Sequence, residues 1–156
     1  MNGLTIAVPR GALFAETLDW LDRLGIATAE VRGNERKLLF ADVGLITMRP
    51  SDVPTYVAAG AADLGVTGKD VLMEQTEGPS AAHARDVYQL RDLGFGRCTM
   101  VVATVAGPDP AAEALRRLGV IRETIAVCTA RLIANPVAHK LKAAAIDELL
   151  ERSRAA

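Results

Sequence analysis

Three basic side chains, Arg10, Arg49 and Lys69, stand where a predicted strand gives way to a helix. Arg10 is followed by Gly11, and Lys69 belongs to the turn TGKD at residues 67–70. Such a turn offers backbone amides, a hydroxyl, an ammonium group and the positive end of a helix dipole, and these groups bind phosphates and carboxylates. Because ligands of open α/β sheets bind at the carboxyl ends of strands, the three cations favour an anion-binding site. An ordinary capped turn stays the alternative, since the glycine spacing of a Walker A loop is absent.

The elements that would position these cations follow from the hydrophobic pattern. The apolar runs leading into the three turns are typical of buried strands and lie at residues 4–8, 45–48 and 64–66. A helix is predicted at 12–24, where apolar side chains recur at three- and four-residue spacing. Ser51 is expected to cap the next helix, which Gly60 ends.

The rest of the chain continues the alternation of strands and helices. Further strands are predicted at 26–31, 37–40, 86–90, 98–105 and 123–132, and a helix stays an alternative for the last of them. Further helices are predicted at 111–118 and 137–152, with Asn135 as the cap of the second and Pro136 as its first residue. Gly94 and Gly96 predict a sharp bend or a close approach of backbones, and residues 75–85 a surface loop. Together these elements predict an α/β fold with a mostly parallel sheet flanked by helices.

Composition excludes several classes of function. The 156 residues fit a single domain whose core must be aliphatic, because half of the residues are hydrophobic and only 4% are aromatic. A formal charge of −1 argues against a nucleic-acid partner. We expect no membrane span and no signal peptide, and hence a cytoplasmic location. Cys98 and Cys128 lack metal-type spacing and are expected to be reduced thiols, so no protein-bound metal is predicted.

Four segments resemble the short-form ATP phosphoribosyltransferases, the catalytic subunits of the first step of histidine biosynthesis. They are VPRGAL (8–13), RPSDVPTYVAAGAADLGVTGKDVL (49–72), DLGFGRC (92–98) and ARLIANPVAHKLK (130–142). The resemblance implies a fold like the type II periplasmic binding proteins, with two α/β lobes around a cleft. It implies transfer of phosphoribose from phosphoribosyl pyrophosphate to N1 of the ATP adenine, with release of pyrophosphate and with Mg2+ present. It also implies a regulatory partner that resembles histidyl-tRNA synthetase, and a homo-oligomer.

The resemblance carries roles to individual residues of this chain. Arg49 and Lys69 become the catalytic cations, which would stabilise charge on the departing pyrophosphate. The other implied substrate contacts are Arg10, Gly11, Thr67, Gly68, Asp70, Gly94 and Gly96. None of these residues is assigned to a metal.

One part of the family pattern is absent from this sequence. The family's second lobe carries an acidic Thr-Gly loop that cradles the phosphate and ribose of phosphoribosyl pyrophosphate, and no such motif occurs here. We therefore expect a single α/β domain, with the first lobe built from 1–105 and 123–156. Residues 106–122 would be the stub of a deleted second lobe. Apolar surface at 101–105 and 120–125 would then be exposed and could drive self-association.

Two hypotheses of different class follow. In the first, the chain is an ATP phosphoribosyltransferase with impaired turnover. In the second, it is a catalytically inactive single lobe that binds nucleotide or phosphate, or serves as a scaffold. A periplasmic solute binder is a weaker third reading, because no signal segment is expected and only one lobe is present.

Overall fold

The computed structural model describes residues 3–77, 87–99, 113 and 127–155. Within these residues, the main sheet has six strands in the order β2-β3-β1-β4-β8-β5, and a separate ladder pairs β6 with β7. The strands are β1 Ile6–Pro9, β2 Leu39–Phe40, β3 Leu45–Met48, β4 Leu64–Gly68, β5 Tyr88–Asp92, β6 Cys98–Thr99, β7 Val127–Cys128 and β8 Ala130–Ala134.

The α/β class predicted from the sequence is confirmed, and the sheet is mixed. Strand β1 runs parallel to β3 and β4, whereas β2 is antiparallel to β3, and β8 is antiparallel to β4 and β5. Four of the six strands therefore share one direction, and β2 and β8 oppose them. Strand β2 must reverse because only a 3-10 turn at Ala41–Val43 and the left-handed Gly44 separate it from β3. A connection this short can join only antiparallel neighbours.

Helices cover both faces of the sheet. They are α1 Phe14–Arg23, α2 Ala29–Gly33, α3 Val53–Ala58, α4 Lys69–Glu77, α5 Pro136–Leu141 and α6 Ala143–Ala155. Alternation along β1 divides the core, since Ile6 and Val8 face the cluster that includes α1 and α6, whereas Ala7 faces the cluster of α3 and α4. Trp20 is buried on the first side and donates its indole N–H to the Ser153 hydroxyl (3.2 Å). No described helix is long and apolar enough to cross a bilayer.

The strand predicted at residues 26–31 is wrong, because this segment turns into the short helix α2. Thr28 accepts the Arg32 amide through its carbonyl, and the Arg32 guanidinium reaches Asp22 at 2.8 Å and Asp19 at 2.6 Å. This network lowers the pKa of Asp22, chiefly through the hydrogen bond from Arg32. The ion pairs thus draw the segment back toward α1, a contact that the local apolar pattern does not encode.

Two other boundaries differ from the prediction. Ser51 does not cap α3, because Asp52 occupies the cap position and no side chain there bonds a helix amide. Helix α4 extends to Glu77, into the stretch predicted as a loop.

The predicted C-terminal helix is broken into α5 and α6 at Lys142. There the backbone leaves helical geometry, with φ −119 and ψ 27, and the ammonium group binds the Asp63 carboxylate at 2.7 Å. The start of this region is as predicted: the Asn135 side chain accepts the amides of Val137 (2.9 Å) and Ala138 (3.0 Å).

Several sequence predictions fall on the chain between the described ranges. They are the strand beyond Thr99, the helix at 111–118 apart from Glu113, and the apolar surface at 101–105 and 120–125. The stub at 106–122 lies, again apart from Glu113, outside the described residues.

Candidate functional site

The three predicted cations lie along one edge of the sheet. Arg10, Arg49 and Lys69 directly follow β1, β3 and β4, and β1 lies between the other two strands. Because neighbouring strands are about 4.8 Å apart, the backbones of Arg49 and Lys69 are separated by roughly 10 Å, with that of Arg10 between them. The amino end of β8 and the carboxyl end of β5 complete this edge.

Arg10 is bonded within the protein rather than free. Its Nε donates to the Thr47 hydroxyl (3.1 Å), and its Nη2 donates to the carbonyls of Asn34 (3.3 Å) and Lys37 (3.0 Å). The guanidinium also stacks over the Phe14 ring, 5.5 Å from its centroid. Arg10 therefore fixes the loop that leads into β2. Its guanidinium is held in place by these contacts and adds positive charge to this edge of the sheet.

Arg49 and Lys69 are the exposed cations of this edge. Their side chains have no hydrogen-bond or ion-pair partner among the residues that the structure describes. Two cations without an ion-pair partner among the described residues, on either side of the held Arg10, create a positive field that suits a polyanion.

Thr67 and Gly68 lie beneath this surface. Thr67 is fully buried, and its hydroxyl donates to the Pro50 carbonyl at 3.2 Å. It thereby joins the end of β4 to the turn that carries Arg49. At Gly68 an added Cβ would lie 2.1 Å from the Asp70 Oδ1 atom, so the Asp70 carboxylate folds back over the glycine.

The start of α4 is less open than the sequence predicts. The Lys69 amide donates to the Thr129 carbonyl at 3.0 Å. This amide of the TGKD turn is therefore occupied by the residue that joins β7 to β8. An anion at this edge must rely on side chains more than on this amide.

Sequence reasoning missed a polar network centred on Asp92. This carboxylate accepts the Gly94 amide (3.0 Å) and the Thr129 hydroxyl (3.0 Å), and it pairs with the Arg131 guanidinium at 2.9 Å. The Gly94 hydrogen bond is the main reason why the pKa of Asp92 is lowered, with Thr129, Arg131 and Lys69 adding to it. The signal was available, since Asp92 and Arg131 lie in two of the segments that carry the family resemblance.

The predicted glycines sit beside this network. Gly94 and Gly96 both have positive φ, 76° and 65°, so the bend predicted around Phe95 is present. Gly96 also packs against Leu13, because an added Cβ would lie 2.1 Å from the Leu13 Cδ2 atom. Gly11, with φ 89°, opens the turn that carries Leu13. The two glycine turns of the predicted site are therefore in contact.

The two cysteines, distant in the sequence, face each other across the ladder of β6 and β7. Cys98 is exposed and Cys128 is buried, and both are free thiols. Ligand atoms of Asp70 and both cysteines lie within 4.8 Å of one another. Burial raises the pKa of the Cys128 thiol, and the charge of Asp70 and the neighbouring Cys98 raise it further.

An open depression of about 430 Å³ lies elsewhere, on α1. It is lined by Glu16, Asp19, Asp22, Arg23 and Phe95. Its lining carries more acidic than basic groups, which disfavours a phosphate ligand. The sheet edge remains the candidate site for an anion.

Comparison with known proteins gives a consistent result. Residues 49–119 match the family model described as HisG: ATP phosphoribosyltransferase. A protein of that name from Desulfitobacterium hafniense is 45% identical over 65% of this chain and 44% of its own length. The one from Rubrobacter xylanophilus is 42% identical over 83% of this chain and 56% of its length. The chain thus spans about half the length of these curated relatives.

A third relative aligns over almost its whole length. The ATP phosphoribosyltransferase of a Geobacillus species is 32% identical, and the alignment covers 96% of each chain. The alignment extends over 206 positions although this chain has 156 residues, so some residues of the relative have no counterpart in this chain. Among solved structures, a chain of the ATP phosphoribosyl transferase (HisG:HisZ) complex from Thermotoga maritima superposes with a TM-score of 0.64. It is 20% identical and covers 97% of this chain and 96% of its own, which shows a shared fold.

Proposed function

The chain belongs to the ATP phosphoribosyltransferase family, and from that premise we propose that its sheet edge binds the phosphates of that reaction's substrates. The reaction joins ATP and phosphoribosyl pyrophosphate to give phosphoribosyl-ATP and pyrophosphate. Both substrates carry several negative charges, so a site for either must place cations around phosphate oxygens.

One observation carries this proposal: Arg49 and Lys69 are exposed and unpaired among the described residues, on either side of Arg10. A structural ion pair would neutralise such side chains, whereas a phosphate site needs them free. Arg10 is a positioning residue as well as a cation, since its bonds to Thr47 and to the loop carbonyls fix the end of β1.

The proposed roles follow from how charge changes in the reaction. When pyrophosphate leaves C1 of the ribose, positive charge develops on the sugar and negative charge on the leaving group. Cations already aimed at the leaving group stabilise that state without reorganisation, and this is usually a large share of catalysis. Arg49 and Lys69 take this role in the proposal, and Thr67 holds the turn that carries Arg49. Gly11 and Gly94 have open space where a side chain would be, so in the proposal they let backbone approach the substrate closely, whereas Gly68 and Gly96 are covered by Asp70 and Leu13.

The described carboxylates of this edge do not form a protein cage for Mg2+. Asp92 is already bonded to Gly94, Thr129 and Arg131, and Asp70 lies over Gly68 and against two thiols. We therefore propose that Mg2+ is bound by the phosphates of the substrates. In many enzymes Mg2+ keeps several water ligands and takes substrate phosphates as its other main ligands. No step of the proposal passes through a metal held by this chain.

We further propose that turnover by this chain alone is impaired. The acidic Thr-Gly loop of the family is absent from the sequence, and the gapped alignment to the Geobacillus relative is consistent with an internal loss. Without that loop, phosphoribosyl pyrophosphate loses its main cradle, and a reaction that depends on positioning slows steeply. The second candidate function, an inactive single lobe that binds nucleotide or phosphate, is favoured by this absence.

Partners are proposed from the same relationship. The Thermotoga maritima neighbour is a HisG:HisZ complex, and we propose that this chain also binds a regulatory subunit resembling histidyl-tRNA synthetase. A homo-oligomer and a cytoplasmic site of action belong to the proposal as well.

The proposal is tested by isothermal titration of ATP, and separately of phosphoribosyl pyrophosphate, into the purified chain with Mg2+. We expect binding of at least one of them, and a loss of about tenfold or more in affinity in Arg49→Ala and in Lys69→Ala. Lys140→Ala is the matched control, because Lys140 is an exposed cation on α5, away from this edge. Equal affinity in all three variants would contradict the assignment of the site.

Pyrophosphate release in the same samples, with the regulatory partner added, separates the two candidate functions. Binding without release supports the inactive single lobe. Release that disappears in Lys69→Ala supports the transferase and shows that the missing loop is dispensable or is supplied by another chain.

A further inference from the structure

We propose that Asp70, Cys98 and Cys128 form a binding site for a thiophilic divalent cation of the Zn2+ class. The site does not depend on the phosphate chemistry proposed above, although Asp70 directly follows Lys69 and the family resemblance implies it as a substrate contact. Its three ligand atoms are one carboxylate oxygen and two sulfurs, all within 4.8 Å of one another.

Three elements bring these ligands together. Cys98 on β6 lies directly opposite Cys128 on β7, so both sulfurs come from one antiparallel pair of residues. Asp70 is in the first turn of α4, and its carboxylate lies within 4.8 Å of both sulfurs. The ligands thus come from two paired strands and the start of one helix.

The donor set selects the class of cation. Two thiolates and one carboxylate suit Zn2+ and other borderline-soft ions, whereas Mg2+ and Ca2+ require oxygen ligands. Tetrahedral Zn2+ bonds of about 2.0 to 2.3 Å place the ligand atoms roughly 3.3 to 3.8 Å apart, so atoms that lie as far as 4.8 Å from one another must close by about 1 Å or somewhat more, which side-chain rotation can supply. Three protein ligands leave the fourth position to water. Cys98 is exposed, which gives the ion a path from solvent.

Binding is a proton exchange with no redox step. Each thiol loses its proton to solvent, its sulfur lone pair forms the bond to the cation, and Asp70 binds as a carboxylate, so two protons are released per ion. The bound ion links β6, β7 and α4. The ion thus fixes the ladder of β6 and β7 against the turn that carries Lys69.

The test uses the full chain, freed of metal with a chelator and kept reduced with a phosphine. Co2+ is the probe, because thiolate ligands give it an intense near-ultraviolet charge-transfer absorption. We expect this absorption to saturate at one equivalent of Co2+ and to disappear when Zn2+ displaces the probe. Zn2+ should also raise the temperature of unfolding, since it binds the folded chain in preference to the unfolded one.

Single substitutions identify the ligands. Loss of an outer-shell partner alone typically costs about 10- to 100-fold in metal affinity, so Cys98→Ser, Cys128→Ser and Asp70→Asn should each cost at least about 100-fold. Asp42→Asn, at an exposed carboxylate on the 3-10 turn, is the matched control and should bind Co2+ normally. If Cys128→Ser unfolds because its site is buried, the exposed Cys98→Ser still tests the sulfur ligation.

Two results would overturn the proposal. One is absence of the charge-transfer absorption in the reduced, folded chain, or its persistence in both cysteine variants. The other is quantitative formation of a Cys98–Cys128 disulfide in air by a chain that binds neither Co2+ nor Zn2+ when reduced, which would make the pair a redox element and not a metal site.

Discussion

Gly94 and Gly96 offer a matched pair of substitutions at the candidate site. Both adopt positive φ, so alanine at either position is strained in the same way. They differ in their surroundings, because an added Cβ at Gly94 meets nothing within 4 Å, whereas at Gly96 it would lie 2.1 Å from Leu13 Cδ2. The pair therefore separates backbone strain from packing.

The cost of backbone strain and the cost of packing can each be estimated from the backbone angles and these distances. Left-handed backbone geometry costs a residue with a Cβ about 1–2 kcal/mol, so Gly94→Ala should lower the free energy of unfolding by that amount. Gly96→Ala adds an overpacking term. Leu13 can rotate away, but it is packed against the main core cluster and would give up those contacts, which costs about 1–2 kcal/mol more. The expected total for Gly96→Ala is about 2–4 kcal/mol.

Equilibrium unfolding in urea measures both values, with the stability change read from the midpoint at unchanged slope. The double variant Gly96→Ala with Leu13→Ala provides the cycle, because removing the Leu13 side chain should abolish the packing cost and so give a coupling energy of about 1–2 kcal/mol. Equal destabilisation by the two glycine substitutions, or additive effects in the double variant, would refute the proposed contact between the glycine turns.

Three further predictions concern stability. Asn135→Ala should cost about 2 kcal/mol in urea unfolding, because Asn135 caps α5 and donates to the Val57 carbonyl at 2.8 Å. Asn135→Asp keeps the cap and loses the donated bond, so it should cost less, and equal costs in the two variants would exclude a role for the cap. The pKa of Asp92 is lowered in the folded state, chiefly by the Gly94 amide, so the Asp92 carboxylate should stabilise the fold fully above the ordinary aspartate range and lose this effect as pH falls through the lowered pKa. The difference in unfolding free energy between the natural chain and Asp92→Asn, measured from pH 7 downward, should therefore shrink, and a difference that grew in acid would contradict this prediction. Gly65→Ala should cost about 1–3 kcal/mol, because its Cβ would lie 2.6 and 2.8 Å from two valine methyls of α3, and a neutral result would mean that α3 shifts freely.

The strands beneath the site could be predicted because their signal is local. The run at residues 45–48 coincides with β3, and Pro9 and Gly68 end β1 and β4 next to Arg10 and Lys69. The cap at Asn135 was also predictable, since an asparagine followed by proline is typical of the start of a helix. The order of the cations along this edge was not predicted, because it depends on the strand order β3-β1-β4.

What could not be predicted depends on contacts between distant residues. Nothing around residue 129 indicates that its carbonyl accepts the amide of Lys69, or that Cys128 lies beside Cys98 and Asp70. The helix α2 likewise depends on ion pairs from Arg32 to α1, and its apolar residues alone resemble a strand. Local patterns place a side chain on an element, and the tertiary structure decides which of its groups are left free.

Thr129 connects the candidate site with the strands β7 and β8 on either side of it. Its carbonyl accepts the Lys69 amide, so a shift of Thr129 moves the Lys69 turn without any intermediate element. Its hydroxyl donates to Asp92, which holds the Gly94 bend. One residue thus fixes both the turn of a proposed phosphate cation and the glycine bend, so a substitution at Thr129 should alter anion affinity at Lys69 before it alters the core.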